Sequence, residues 1–196
     1  MSVLLVAGSP SEHSRSAALL GEVEQRLKLR GIATDKLFIR DLSPQALLLA
    51  NVSHPTVSAA IDQVARAEAI VVSTPVYKAA YSGVLKVFLD LLPQTALKGK
   101  HVLPLATGGS PNHMLALDYA LRPVLQSLGA DHILPGVYAI DAQVVILPDG
   151  GTQLHADISR RIDDSTNTLI AEVYRKVPSV AARFAPVPFS QVRCSV

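Results

Sequence analysis

Hydrophobic positions along the chain fall into two alternating patterns. The first is a set of short, unbroken apolar runs. Val3-Leu4-Leu5-Val6-Ala7 stops at Gly8, Ala69-Ile70-Val71-Val72-Ser73 stops at Thr74-Pro75, and Val102-Leu103-Pro104-Leu105-Ala106 stops at Thr107-Gly108-Gly109. Unbroken rather than alternating runs suit strands covered on both faces, as in a parallel sheet. Residues 34–39 read as a mixed strand and residues 132–137 as a fifth. Pro104 is awkward in a central strand, because it offers no N–H to the ladder; it argues for a bulge or against that strand.

The second pattern is helical. Residues 14–29 place Leu19, Leu20, Val23 and Leu27 on one face and end at Gly31. Residues 55–67 do the same with Val57, Ala60, Ile61 and Val64, and residues 82–92 with Val84, Leu85, Phe88, Leu89 and Leu92. Residues 112–128 and 153–176 complete the set. Strand and helix alternate five times, which predicts an α/β fold: a doubly wound, five-stranded parallel sheet with helices on both faces. Residues 1–176 read as one domain, and residues 177–196, with Pro178, Pro186 and Pro188, as a C-terminal tail.

Composition narrows the function. The 196 residues are 49% hydrophobic with a formal charge of +2, which excludes a mainly disordered chain and any large basic field for nucleic acid. A single cysteine, Cys194, excludes an internal disulfide and a cysteine metal cluster. The six histidines show neither HxH nor HExxH spacing, so no metal is expected. Residues 3–7 are too few to span a bilayer and lack a charged leader before them. The expectation is a cytoplasmic protein with no membrane partner.

In open α/β sheets, ligands bind beyond the carboxyl ends of the strands, where strand order reverses. Three polar loops leave such ends. Gly8-Ser9-Pro10-Ser11-Glu12-His13-Ser14-Arg15-Ser16 opens directly into a helix; its hydroxyls, free N–H groups, helix dipole and guanidinium suit a phosphate dianion. Neither GxxxxGK[ST] nor GxGxxG is present, and Ser14 could equally be an ordinary N-cap. Thr74-Pro75-Val76-Tyr77-Lys78-Ala79-Ala80-Tyr81-Ser82-Gly83 could wall a planar ligand, or simply cover the sheet end or meet another subunit. Thr107-Gly108-Gly109-Ser110 lets bare N–H groups approach a ligand edge, or is a plain turn. In the fourth helical segment, Pro123 cannot donate to the carbonyl of Tyr119, which predicts a kink, a π-bulge, or a break near Arg122.

Together these stretches resemble the NADPH-dependent FMN reductase family of flavodoxin-like proteins, and within it the alkanesulfonate-associated FMN reductases. The likeness is carried by Ala7-Gly8-Ser9-Pro10 with Ser14-Arg15-Ser16, by residues 73–86, by Leu105-Ala106-Thr107-Gly108-Gly109-Ser110, and by Leu117-Asp118-Tyr119-Ala120-Leu121-Arg122-Pro123-Val124-Leu125. It extends over residues 1–145, and four motifs in order are specific as no single one is.

The resemblance implies that Ser9, Ser14, Arg15 and Ser16 hold the FMN phosphate. It implies that Pro75, Val76 and Tyr77 flank the isoalloxazine and ribityl chain, and that Thr107, Gly108, Gly109 and Ser110 line the polar edge of the ring. It places Tyr119 in a π-helix at a subunit interface of a homodimer or homotetramer. The implied reaction is hydride transfer from NADPH to FMN, with no catalytic side chain of the protein's own. Reduced flavin would pass to a separate monooxygenase that desulfonates alkanesulfonates. The alternatives on this fold are an FMN-retaining quinone or azo reductase and a flavodoxin-like electron carrier. Carriers are usually acidic, so a charge of +2 argues against the second.

Overall fold

The computed structural model describes residues 2–175. Strands β1 (Ser2–Ala7), β2 (Ala33–Phe38), β3 (Ala69–Tyr77) and β5 (His101–Gly108) run parallel in the order β2-β1-β3-β5. A fifth position beside β5 is shared by β6 (His132–Ile133) and β7 (Val137–Ile140), both parallel to it. β4 (Ala80–Tyr81) folds back antiparallel on the end of β3. Over its five parallel positions this is the flavodoxin order, which reverses between β1 and β3.

Alternate residues of each strand enter opposite cores, which is why the runs are apolar throughout. On one face, α1 (Arg15–Leu29) and α6 (Ala156–Tyr174) bury Leu19, Val23, Leu27, Ile158 and Ile162 against Val3, Leu5, Val71, Leu103 and Leu105. On the other, the short α2 (Pro44–Leu48), α3 (Pro55–Arg66), α4 (Gly83–Asp90) and α5 (Arg122–Ser127) bury Leu47, Val57, Val64, Phe88 and Leu125 against Leu4, Val6, Ile70, Val72 and Val102. Arg26 ties α1 to α6 through Asp163 (2.6 Å) and Ser159 (2.8 Å).

The fifth strand, expected as one piece over residues 132–137, is broken, and the break explains Pro104. Leu134 N donates to Val102 O at 2.9 Å. Pro104, two residues on, turns its missing donor toward the same side, opposite residues 134–136. The ladder is interrupted where it could not be completed. Gly136 crosses so close to the proline that a Cβ there would stand 3.1 Å from Pro104 O and 2.7 Å from Leu117 Cδ1. The Arg122 guanidinium donates to the Ile133 and Leu134 carbonyls at 3.1 and 3.3 Å, satisfying acceptors at the break.

Two other expectations change. Residues 112–128 are not one helix: they comprise a 3-10 turn at Pro111–His113, a π-helix at Leu117–Leu121, and α5. Arg122 N donates to Leu117 O, five residues back, directly before the proline that has no donor to give. The last helical segment begins later than residue 153, because Thr152–Leu154 is β9, paired antiparallel with β8 (Val144–Ile146). His155 then caps α6, its ring accepting from Asp157 N at 3.4 Å. The C-terminal tail and the end of that segment lie outside the described residues.

At the end of the sheet opposite the polar loops, His101 and His132 are register partners with rings stacked 4.7 Å apart. Burial, and then the facing His132 ring, hold the His101 pKa below the usual histidine value, with Glu172 opposing the shift. A depressed folded-state pKa means that the unfolded chain takes up the proton first. The contribution is therefore complete above about pH 6.5 and is lost as pH falls from there through the folded-state pKa. The thermal midpoint of the native protein is expected to fall more between about pH 7 and pH 5 than that of His101→Gln. Parallel melting curves across that range check it.

Candidate functional site

The loop after β1 is built around hydroxyl groups. Ser14 caps α1, its Oγ accepting from Ala17 N at 3.4 Å, and shares a 2.8 Å hydroxyl bond with Ser16 Oγ. Ser9 Oγ accepts from Ser11 N at 3.1 Å, folding the loop over the start of the helix. The helix leaves its first N–H groups without intrahelical partners, and its dipole adds partial positive charge there. Arg15 extends from the first turn, half exposed, with NH1 3.8 Å from Asp141 Oδ2.

One backbone N–H and two buried hydroxyls stitch this loop to its neighbours. Gly8 N donates to Ser73 O at 2.7 Å, Ser73 Oγ donates to Ser16 O at 2.6 Å, and Ser82 Oγ donates to Gly8 O. Thr74 Oγ1 accepts from Ser82 N at 3.0 Å and donates to Pro75 O at 2.9 Å, closing the second loop on itself. The third loop is anchored from β7: the Tyr138 hydroxyl donates to Ser110 O at 2.5 Å. Burial, and then the charge of Asp141, push the Tyr138 pKa up, against the pull of that bond, so the phenol remains a donor at neutral pH. These bonds fix three strand ends before any ligand arrives.

Between the loops lies a cavity of about 260 Å³. Of the residues expected at the site, Ser9, Ser14, Arg15, Pro75, Val76, Tyr77, Thr107, Gly108 and Gly109 line it. Ser16 and Ser110 stand behind the lining: Ser16 is buried and supports Ser14, and Ser110 presents its carbonyl to Tyr138 and its Oγ to Asn112 N. Tyr119 lies on the π-helix, 79% exposed and outside the cavity. Ser11, His13 and Asp141 also line it. The sequence reading does not reach Asp141, because it ends the fifth strand at residue 137, whereas β7 runs on to Ile140 and brings the next residue to the cavity.

Larger cavities lie elsewhere among the described residues, about 300 Å³ beside Pro10, Leu47 and Val84, about 530 Å³ beside Lys98, Lys100 and His101, and about 290 Å³ beside Ile61, Leu92 and Thr95. None of the three joins a helix N-terminus, several hydroxyls and glycine backbone, as the cavity over the strand ends does. The residues present there suit an elongated ligand with an anionic end near Ser9, Ser14 and Arg15. Its flat part would lie along Pro75–Tyr77 and Gly108–Gly109.

The β3–β4 hairpin that carries Tyr77 turns through Lys78 (φ 49°) and Ala79 (φ 63°), both left-handed. Such two-residue hairpins favour Asn-Gly, and a non-glycine residue there costs about 1–2 kcal/mol. Ala79→Gly is therefore expected to stabilise the protein by roughly 0.5–1 kcal/mol, net of the entropy that glycine adds to the unfolded chain. A thermal midpoint raised by about 1–3 °C in calorimetry checks it.

Comparison with known proteins bears on this site directly. The family described as NADPH-dependent FMN reductase matches residues 1–144, which hold every residue lining the cavity. An FMN reductase (NADPH) of Pseudomonas putida is 45% identical over 184 residues, covering 92% of each chain. An FMN reductase (NADPH) of Escherichia coli is 42% identical over 176 residues, covering 90% of this chain and 92% of its own. Among solved structures, the apo form of an NADH:FMN oxidoreductase (EMOB) superposes with a TM-score of 0.81 at 35% identity, covering 97% of this chain and 99% of its own. With a flavodoxin-order sheet, a helix N-terminus and glycine backbone meeting over its strand ends, the chain belongs to the NADPH-dependent FMN reductase family, oxidoreductases that work with FMN and NADPH.

Proposed function

We propose that FMN lies between the three strand-end loops, takes hydride from NADPH there, and leaves in reduced form for a partner monooxygenase, in the service of alkanesulfonate desulfonation. The observation that carries this reading is the convergence of Ser9, Ser14 and Arg15 with Pro75, Val76, Tyr77, Thr107, Gly108 and Gly109 on one cavity. FMN supplies the chemistry, since its N5 accepts the hydride given up by the nicotinamide C4. The protein's own residues bind and orient. Ser9, Ser14, Arg15 and the start of α1, backed by Ser16, hold the phosphate. Gly108 and Gly109, backed by Ser110, approach the ring edge. Tyr77 is 49% exposed, the chain has no tryptophan, and among the described residues lining the cavity there is no phenylalanine or second tyrosine, which leaves a face of the ring on which a nicotinamide can stack.

Arg15 in the cavity and Lys78, exposed at the tip of the hairpin that carries Tyr77, are the candidates on charge to meet a 2′-phosphate of NADPH. Tyr119, Met114 and Leu115 are exposed apolar side chains on one stretch of chain, which supports a homodimer or homotetramer formed through the π-helix. The sulfonate connection rests on the likeness of residues 117–125 to the sulfonate-linked enzymes. Among the described residues no helix is long and apolar enough to cross a membrane, which accords with a cytoplasmic setting.

The test is NADPH oxidation by the purified protein with and without added FMN, followed by passage through a desalting column. Oxidation that requires added FMN, with flavin lost on the column, supports flavin as a substrate. Flavin retained through the column favours the quinone or azo reductase alternative, and a protein indifferent to NADPH overturns the reading.

A further inference from the structure

Among the described residues lining the cavity, Arg15 is the one guanidinium or ammonium and Asp141 the one carboxylate. The two face each other at 3.8 Å, and both are half exposed. Asp141 is also near the third loop: its Oδ2 lies 3.9 Å from the position a Cβ would take at Gly109. The backbone that carries Asp141 is fixed by its own turn. The residue opens the 3-10 helix Asp141–Gln143 at the end of β7, Ile140 N donates to Gln143 Oε1 at 3.0 Å, and Val144 N closes back on Asp141 O. Arg161 fixes the strand behind it through the Tyr138 carbonyl at 3.1 Å. A cavity read as a dianion site thus places a carboxylate 3.8 Å from the one cation that lines it. That arrangement opposes tight anion binding, and it would be out of place in a protein that keeps its flavin permanently.

We propose that Asp141 tunes flavin affinity. It shares the Arg15 guanidinium with the incoming phosphate and repels that dianion, so that FMN is held loosely enough to be exchanged as a substrate. This rests on the reading of the cavity as an FMN site. The partial exposure of both groups makes the effect moderate and sensitive to salt.

The experiment is fluorescence titration of native protein, Asp141→Asn and Asp141→Glu with FMN and with riboflavin, at roughly 0.05 M and 0.5 M salt. Asp141→Asn keeps the shape and removes the charge. It is expected to bind FMN about three- to tenfold more tightly than the native protein at low salt, with the gap narrowing at high salt. Riboflavin, which lacks the phosphate, is expected to bind both proteins equally, and Asp141→Glu is expected to stay near the native affinity for FMN. Equal FMN affinity in native protein and Asp141→Asn overturns the inference while leaving the flavin reading intact. So does weaker binding by Asp141→Asn, which would make the carboxylate a direct acceptor for a ligand N–H. A native protein that binds no FMN overturns the flavin reading, and this inference with it.

Discussion

Arg15→Ala is expected to weaken FMN binding about tenfold to a hundredfold and to leave riboflavin binding unchanged. A hydrogen bond to a charged partner contributes roughly 1.5–3 kcal/mol, and each 1.4 kcal/mol is a factor of ten in affinity. Arg15 is half exposed, so its effect belongs to the lower part of that range. The guanidinium does not act alone. Ser9, Ser14 and the first turn of α1 remain in the variant, so binding is reduced rather than abolished. The riboflavin control separates this account from a general loosening of the loop, which would weaken both ligands. Parallel fluorescence titrations decide between them. An unchanged FMN affinity would remove Arg15 from the phosphate site.

That prediction draws on residues that could be found in the sequence, because the loop after β1 is continuous in chain and in space. Hydroxyls, a capping serine and an arginine at the opening of an amphipathic segment suit an anion by their types, and equally make an ordinary helix cap. The three central strands were equally readable, since burial on both faces leaves unbroken apolar runs at Val3, Ala69 and Val102. The fifth strand was readable only in part. Pro135-Gly136 is a local break signal inside residues 132–137 and Val137-Tyr138-Ala139-Ile140 a short apolar run after it, but that both pieces pair with β5, on either side of Pro104, is set by tertiary contact. Asp141 was lost with it. The β8–β9 hairpin did carry a local signal, an Asp149-Gly150-Gly151 turn between Val144-Val145-Ile146 and Thr152-Gln153-Leu154, but short strands bordering a long helical pattern are easily absorbed into it. The roles of Ser16 and Ser110 depend on side-chain direction. Both lie in the right loops but not among the residues lining the cavity: the Ser16 hydroxyl bonds that of Ser14 and the Ser110 hydroxyl accepts from Asn112 N, and spacing alone does not reveal such a choice.

The bracing of the third loop leads to the other large expected effect. A Cβ on Gly108 would stand 2.6 Å from the Tyr138 hydroxyl, and 3.4 Å from both Tyr138 Cζ and Val76 Cβ. The first distance is too short for any real contact. Tyr138 is only 7% exposed, and its ring lies in the core beside Leu117 and Leu121, so it has little room to swing aside. Either the hydroxyl abandons Ser110 O or residues 107–110 retreat, and each outcome displaces the backbone proposed to meet the ring edge. Gly108→Ala is expected to destabilise the fold by about 1–3 kcal/mol, the usual cost of overpacking. It is also expected to weaken FMN binding by one to two orders of magnitude, since a misplacement of about 1 Å is enough for that. The cause can be isolated with Tyr138→Phe, which deletes the offending oxygen and loses one hydrogen bond, about 1 kcal/mol. In the Tyr138→Phe background the nearest remaining contacts of an alanine Cβ are ordinary ones, so the two substitutions should be strongly non-additive, with Gly108→Ala costing little there. Denaturant unfolding of the four proteins in the cycle measures this directly. If Gly108→Ala costs as much in the Tyr138→Phe protein as in the native one, the glycine is needed for something other than room for that hydroxyl.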